Sequence, residues 1–197
     1  TFELQGVNST NYTAYTSGGT AADVFEIASP YTESQLYEVG FTQSADVMYL
    51  VHEDVSPRKL SRTGHTSWTL TEVDFKRGPY LDQNTTGTTM TPSGTSGSVT
   101  ITASSNTFVS TDVGRLIKFN GGHAKITNFS SATQVTATTT DNFSGTGGTT
   151  DWSLGTFTST KGFPRAVSFF EQRLVFAGTT SFPQTIFASE SGLYEEF

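Results

Sequence analysis

Three histidines, His52, His65 and His123, are the first side chains to weigh for chemistry, and no two of them stand four apart beside a glutamate, the spacing that builds a zinc site on a helix. Each reads as a surface or loop histidine. Carboxylates cluster at Glu53-Asp54, at Glu72 and Asp74, and at Glu190 with Glu195-Glu196. Glycoside hydrolysis needs two such acids converging on one bond, and nothing in their linear spacing implies convergence, so they read as solvated loop acids. No Gly-x-Ser-x-Gly elbow presents a nucleophilic serine. Gly121-Gly122 lacks the Lys-Ser/Thr that completes a phosphate loop and reads as a hairpin turn, with His123 and Lys125 as neighbours. Asp82, Asp112, Asp141 and Asp151 are scattered near turns without the dense spacing of a calcium loop, which leaves room for one surface calcium site at most. Asn8, Asn11, Asn84, Asn128 and Asn142 head Asn-x-Ser/Thr sequons. They would accept glycans in a secreted eukaryotic protein, and chance supplies them in so Thr-rich a chain. No catalytic, cofactor-binding or metal-binding residue is therefore expected, and no cofactor.

The elements that would hold any site are strands. Hydrophobic residues make up 34% of the 197 residues, yet 16 are Phe and aromatics reach 13%. Such a core is built from aromatic and branched side chains on strands, with a Thr, Ser, Asn and Gly surface suited to turns. The net charge of −7 argues against a non-specific grip on nucleic acid, which needs clustered Lys and Arg to displace counterions. Arg58, Lys59 and Arg62, with Lys76 and Arg77 further on, read as a solvated strand edge kept from aggregating by charge. There is no cysteine, hence no disulfide and no thiolate metal site. No apolar run approaches the ~20 residues that span a bilayer, and no basic segment followed by an apolar one opens the chain. Thr1 in place of Met and the stop at Phe197 read as a fragment of a longer protein.

A strand, loop, strand unit occurs twice, at Phe41 to Gly64 and at Phe170 to Gly192. Each copy opens on Phe-x-Gln, enters a hydrophobic strand (Val47 to Val51; Leu174 to Ala177), makes a loop ending in Pro57 or Pro183, resumes a strand (Lys59 to Arg62; Thr185 to Ala188) and closes on Gly. A unit that cannot bury its own apolar face stacks on a copy of itself. Val47, Tyr49 and Val51 should face one side and Met48 and Leu50 the other, as in strands covered on both faces. Before the first copy, Asp23 to Ala28 alternates like a strand. Tyr31 to Tyr37 is a short helix with Thr32 and Gln35 as capping box, Tyr31 and Leu36 as staple and Gly40 as stop. Trp68 to Phe75 alternates with a phase shift that implies a bulge near Thr71-Glu72.

From Leu81 the composition changes. Asn84 to Gly97 has the Thr, Gly and Ser content of a linker. Five strand candidates follow: Ser98 to Ala103, Arg115 to Phe119, Ala124 to Phe129, Gln134 to Thr139 and Trp152 to Thr158. They predict a small antiparallel β-barrel or sandwich inserted between the two copies. The expected division is a blade-like β region over 1–80, an inserted β domain with its linker over 81–155, and a second blade-like region over 156–197. Without residues 81–155 the two copies are spaced by close to the ~40–50 residues of a propeller blade.

Two segments carry a resemblance, Glu26 to Tyr80 and Gly162 to Phe197, through Pro-Tyr-Thr-Glu, Gln-Ser-Ala-Asp-Val, Pro-Arg-Lys-Leu, Gly-His-Thr-x-Trp and Gln-Arg-Leu-Val-Phe-Ala-Gly. In these the chain resembles the tail tube or nozzle proteins of short-tailed bacteriophages, known as tail tubular protein B or virion structural protein. The module between them, with Asp112 to Ile117 and Ala124 to Thr127, is similar to insertions met in such proteins. The resemblance implies an all-β protein with propeller-like blades in the virion tail. It implies a homo-oligomeric ring, hexameric, that contacts other tail proteins and conducts genomic DNA as transient cargo, with no enzymatic activity. An acidic lumen would let DNA pass without sticking. The competing function is a carbohydrate-binding or adhesin-like β module touching a host glycan. That role needs a row of exposed aromatics, and the insertion offers only Phe129, Phe143 and Trp152, which read as its core.

Overall fold

Alternation of apolar and polar residues dominates the chain, and the computed structural model, which describes residues 27–64 and 67–197, is accordingly all-β with only two short 3-10 turns. Every strand pair is antiparallel. Strands β1 (Gly40–Ser44), β2 (Val47–His52), β3 (Val55–Gly64) and β4 (Ser67–Glu72) form a four-stranded meander in sequence order. Strands β11 (Ala166–Phe170), β12 (Arg173–Ala177) and β13 (Ile186–Ala188) form a three-stranded meander. Between them lie β5 (Met90–Pro92), β6 (Ser98–Ala103), β7 (Leu116–Phe119), β8 (Gly122–Ser131), β9 (Gln134–Asp141) and β10 (Trp152–Leu154), in one sheet of order β10-β7-β8-β9-β6-β5. That sheet curls into a half-barrel. Near its ends, Met90 and Thr149 exchange backbone hydrogen bonds of 2.8 and 3.0 Å.

Each buried cluster follows from the period of two. In β2, Tyr49 and Val51 bury with Val73, Leu174 and Phe176, while Leu50 points the other way to Tyr31 and Leu60. Strand β2 is thus apolar on both faces, as its sequence requires. Leu174 and Phe176, two apart on β12, share the first of these clusters, so the two meanders face each other across Phe and Tyr rings. The third cluster is drawn entirely from the six-stranded sheet and its loops: Met90, Val99, Ile101, Phe119 and Ile126 are each at most 2% exposed.

Several local expectations are corrected. The two copies are not in phase at Phe-x-Gln: Phe41 to Gln43 lie inside β1 before the Ala45-Asp46 turn, whereas Glu171-Gln172 are themselves the turn between β11 and β12. Pro57 ends no loop. It sits within β3, where a register shift opposite Leu50 to His52 accommodates a residue with no N–H, and its carbonyl accepts from Val73 N–H. The 3-10 helix spans Glu33–Glu38, begins with Gln35 Oε1 accepting from Thr32 N–H at 3.0 Å, and ends before Gly40. Gly40 is needed instead because a Cβ there would lie 2.9 Å from Arg165 O, where β1 passes β11. The irregularity in the β3–β4 pair falls between Arg62 and Gly64; at Thr71-Glu72 the strand simply ends, and Val73 turns into the cluster of Leu174 and Phe176. The strand begun at Trp152 stops at Leu154. The expected strand over Asp23 to Ala28 falls largely outside the described residues; Ile27 and Ala28 are not in a strand.

The stretch Asn84 to Gly97 is no free linker. It contains β5, and Asn84 Nδ2 lies within 2.9–3.3 Å of the carbonyls of Thr86, Thr88 and Thr150, while its Oδ1 accepts from Thr86 N–H and Oγ1–H. Asn84→Ala is expected to lower stability by about 1–3 kcal/mol, the effect of leaving such groups unpaired, read as an earlier urea midpoint. A midpoint equal to that of wild type would show the knot to be dispensable.

Candidate functional site

The residues with chemical potential fall in two places. The first is the β2–β3 hairpin. His52 is not a surface histidine: it closes β2 and is 2% exposed. Its Nδ1 accepts from Asp54 N–H at 3.2 Å, so neutral imidazole carries its proton on Nε2. Nε2 faces Glu38 Oε2 at 3.4 Å, not aligned for a hydrogen bond. Glu53 beside it pairs with Arg165. An imidazole in this tautomer offers a covered donor and no lone pair to a metal. Tyr31, edge-on to His52, has its hydroxyl pushed up to about 12 by burial.

The second place is the seam where one strap, residues 73–81, touches all three sheets. Val73 N–H binds Pro57 O of the first meander at 2.9 Å. Lys76 N–H binds Glu195 O, and Phe197 N–H binds Arg77 O, at 3.0 and 2.9 Å, tying the strap to the segment after β13. Leu81 N–H binds Leu154 O at 2.8 Å and Thr156 N–H binds Pro79 O at 2.9 Å, tying it to the six-stranded sheet. Gly78 is required in this strap: its φ is +87° and a Cβ would meet Phe197 O at 2.8 Å.

Side chains complete the seam. Arg77 grips Asp141 of β9 through Nε at 2.7 Å and Nη2 at 3.2 Å, and reaches Glu196 at 3.5 Å. The Arg77 hydrogen bond holds the Asp141 carboxyl below its usual value. Tyr80 Oη lies 2.6 Å from His123 Nδ1, and the Lys118 ammonium sits 5.9 Å from the centre of the Tyr80 ring. Burial, before any charge, lowers the His123 imidazole and raises the Tyr80 hydroxyl. Lys76 pairs with Asp74, which Lys125 also approaches at 3.6 Å; the Lys76 bond is the main reason the Asp74 carboxyl is lowered.

The remaining sequence candidates do not converge. Glu72 pairs with Arg58 at 3.2 Å and Glu195 with Lys59, while Arg62 pairs with Asp46 at 3.0 Å and lies over Trp68. The basic residues therefore line an interior strand, half-buried and ion-paired, where a solvated edge was expected. Among the described residues, no three His, Asp or Glu side chains are placed to hold a metal ion. Asp112 is buried against Arg115 and unavailable to calcium; Asp151 accepts from Gln83. Asn84, with its amide consumed, is no glycan acceptor in this fold, while Asn128 and Asn142 are exposed. Phe143 is buried, and Phe129 and Trp152 pack on the same cluster, so they form no exposed aromatic platform. His65, Asn8 and Asn11 lie outside the described residues.

With this geometry in view, no protein-family model matches the chain and no curated protein does. Among the described residues, no helix is long and apolar enough to cross a membrane. Sequence reasoning missed the strap. Its signal was present in Lys76-Arg77-Gly-Pro-Tyr80, a run of charge, turn and aromatic residues joining two alternating regions, which has no strand period of its own.

Proposed function

We propose that this chain is a non-enzymatic structural component of a bacteriophage tail, of the tail tubular protein B kind. In this reading the two meanders are propeller-like blades, the six-stranded sheet is a small domain inserted between them, and copies join with other tail proteins in a ring, hexameric, that conducts genomic DNA as transient cargo. One observation carries the proposal: the two segments bearing the resemblance are the two that fold as sequential meanders and pack face to face. Sequential meander order is what a propeller blade requires, and β2, apolar on both faces, is suited to stacking. The scatter of ion pairs over the three sheets and the strap, with no two acids converging on one cleft, supports assembly over catalysis. The net charge of −7 suits a conduit that must not retain DNA.

Immunogold labelling of virions whose genome encodes the chain, with antibody raised against the purified protein, is expected to mark the tail. Label confined to the capsid shell, or its absence from the particle, would overturn the proposal.

A further inference from the structure

The geometry points to a pH-operated joint: protonation of His123 loosens the docking of the six-stranded sheet on the strap while leaving the sheet itself folded. This inference concerns the seam alone and stands whether or not the chain belongs to a phage tail.

Tyr80 of the strap meets the His123 imidazole across the seam at 2.6 Å. With Nδ1 unprotonated, Tyr80 donates and the imidazole accepts. Once Nδ1 gains a proton both ring nitrogens are donors, so Tyr80 must reverse its hydroxyl inside a half-buried contact. Burial opposes the protonated imidazole first, and the charges facing it divide: Asp141 favours the protonated form, Lys118 and Arg77 oppose it. Lys118 on β7 and Arg77 on the strap are cations, and Asp141 on β9, the one facing anion among the described residues, is already held by the Arg77 guanidinium. Glu196 and Glu190 of the segment after β13 act on Arg77 and not on the ring.

Burial sets the direction. A histidine held below its unfolded value of 6.5 is less protonated when docked than when released. Its contribution to docking is therefore complete above pH 6.5 and is lost as pH falls from there through the docked value. The Arg77–Asp141 pair does not titrate in that window, because Asp141 is held below 3.8. A change between neutral and mildly acidic pH thus reports on His123, provided the other histidines are controlled.

Hydrogen exchange on the full chain tests this, with rates corrected for the intrinsic effect of pH. Between pH 7.5 and 5, the amides of Leu81 and Thr156, which bond across the seam, are expected to lose protection by up to about tenfold per pH unit, the most a single proton can supply. Ile126 and Ala137, inside the six-stranded sheet, should keep theirs. His123→Asn retains an acceptor for Tyr80 and cannot be protonated, so it should hold seam protection constant over the range while His52 and His65 remain. Uniform protection of Leu81 and Thr156 across pH in the wild type would overturn the proposal. So would the same loss in His123→Asn, or a loss in the wild type that extends equally to Ile126 and Ala137.

Discussion

Phe176→Ala is expected to lower the unfolding free energy by about 3–5 kcal/mol, the range for removing a fully buried aromatic from a packed core. The ring is 0% exposed and is the hub where separate parts of the chain meet. Phe75 of the strap, Phe157 after β10 and Phe197 after β13 have their centroids 5.9, 6.1 and 5.5 Å away, the last stacked at 17°. Deleting it leaves a cavity among three rings, and Phe75 and Phe197 are held by backbone bonds to Val73 and Arg77, so collapse is limited. Ile186→Ala on the neighbouring strand, at a side chain 70% exposed, should change stability by no more than about 0.5 kcal/mol. Urea melts of the two variants decide the matter: equal shifts would mean the meanders do not share the Phe176 core.

Asp112→Ala should be comparably damaging, by about 3–5 kcal/mol, for an electrostatic reason. Arg115 is buried, with Nη1 on Asp112 Oδ1 at 2.8 Å and Nε on Gly155 O at 2.6 Å, and Asp112 Oδ2 also accepts from Val109 N–H at 2.9 Å. Burial already pulls the guanidinium below its usual value and Asp112 is its principal opposing influence. Removing the carboxylate leaves a cation buried without its counterion. Asp112→Ala combined with Arg115→Met removes both charges and should recover a substantial part of the loss. A double variant as unstable as the sum of its parts would show that the pair is not coupled.

The strands were legible where alternation was strict. Ser98 to Ala103 matches β6 at both ends, and Val47 to Val51 declared two buried faces because every residue in it is apolar. Met90–Pro92 was hidden, since one Met between threonines carries too little periodicity to separate a strand from a linker; its pairing is set by Ala103 and Ile101, far along the chain. Pro57 was misread because proline ordinarily ends strands, whereas here it lies in a bulge of β3 itself, where Ser56 and Pro57 together oppose Val51 alone. The acids and bases were misread for one shared reason. Whether Lys59 faces water or Glu195, 136 positions away, and whether Asp112 lies at the surface or buried with Arg115, depends on how distant parts of the chain pack around them. His52 illustrates the point: it is polar at the end of an apolar run, which is the position of an exposed hairpin residue, yet the 3-10 turn with Tyr31 and Glu38 closes over it.

Cryo-electron microscopy of the intact virion tests the central claim most directly. The account predicts density for the two facing meanders in the tail, repeated around a central channel, with the six-stranded sheet attached through the strap at residues 73–81. Density for this chain in the capsid shell, or in a tail fibre with no channel, would contradict it.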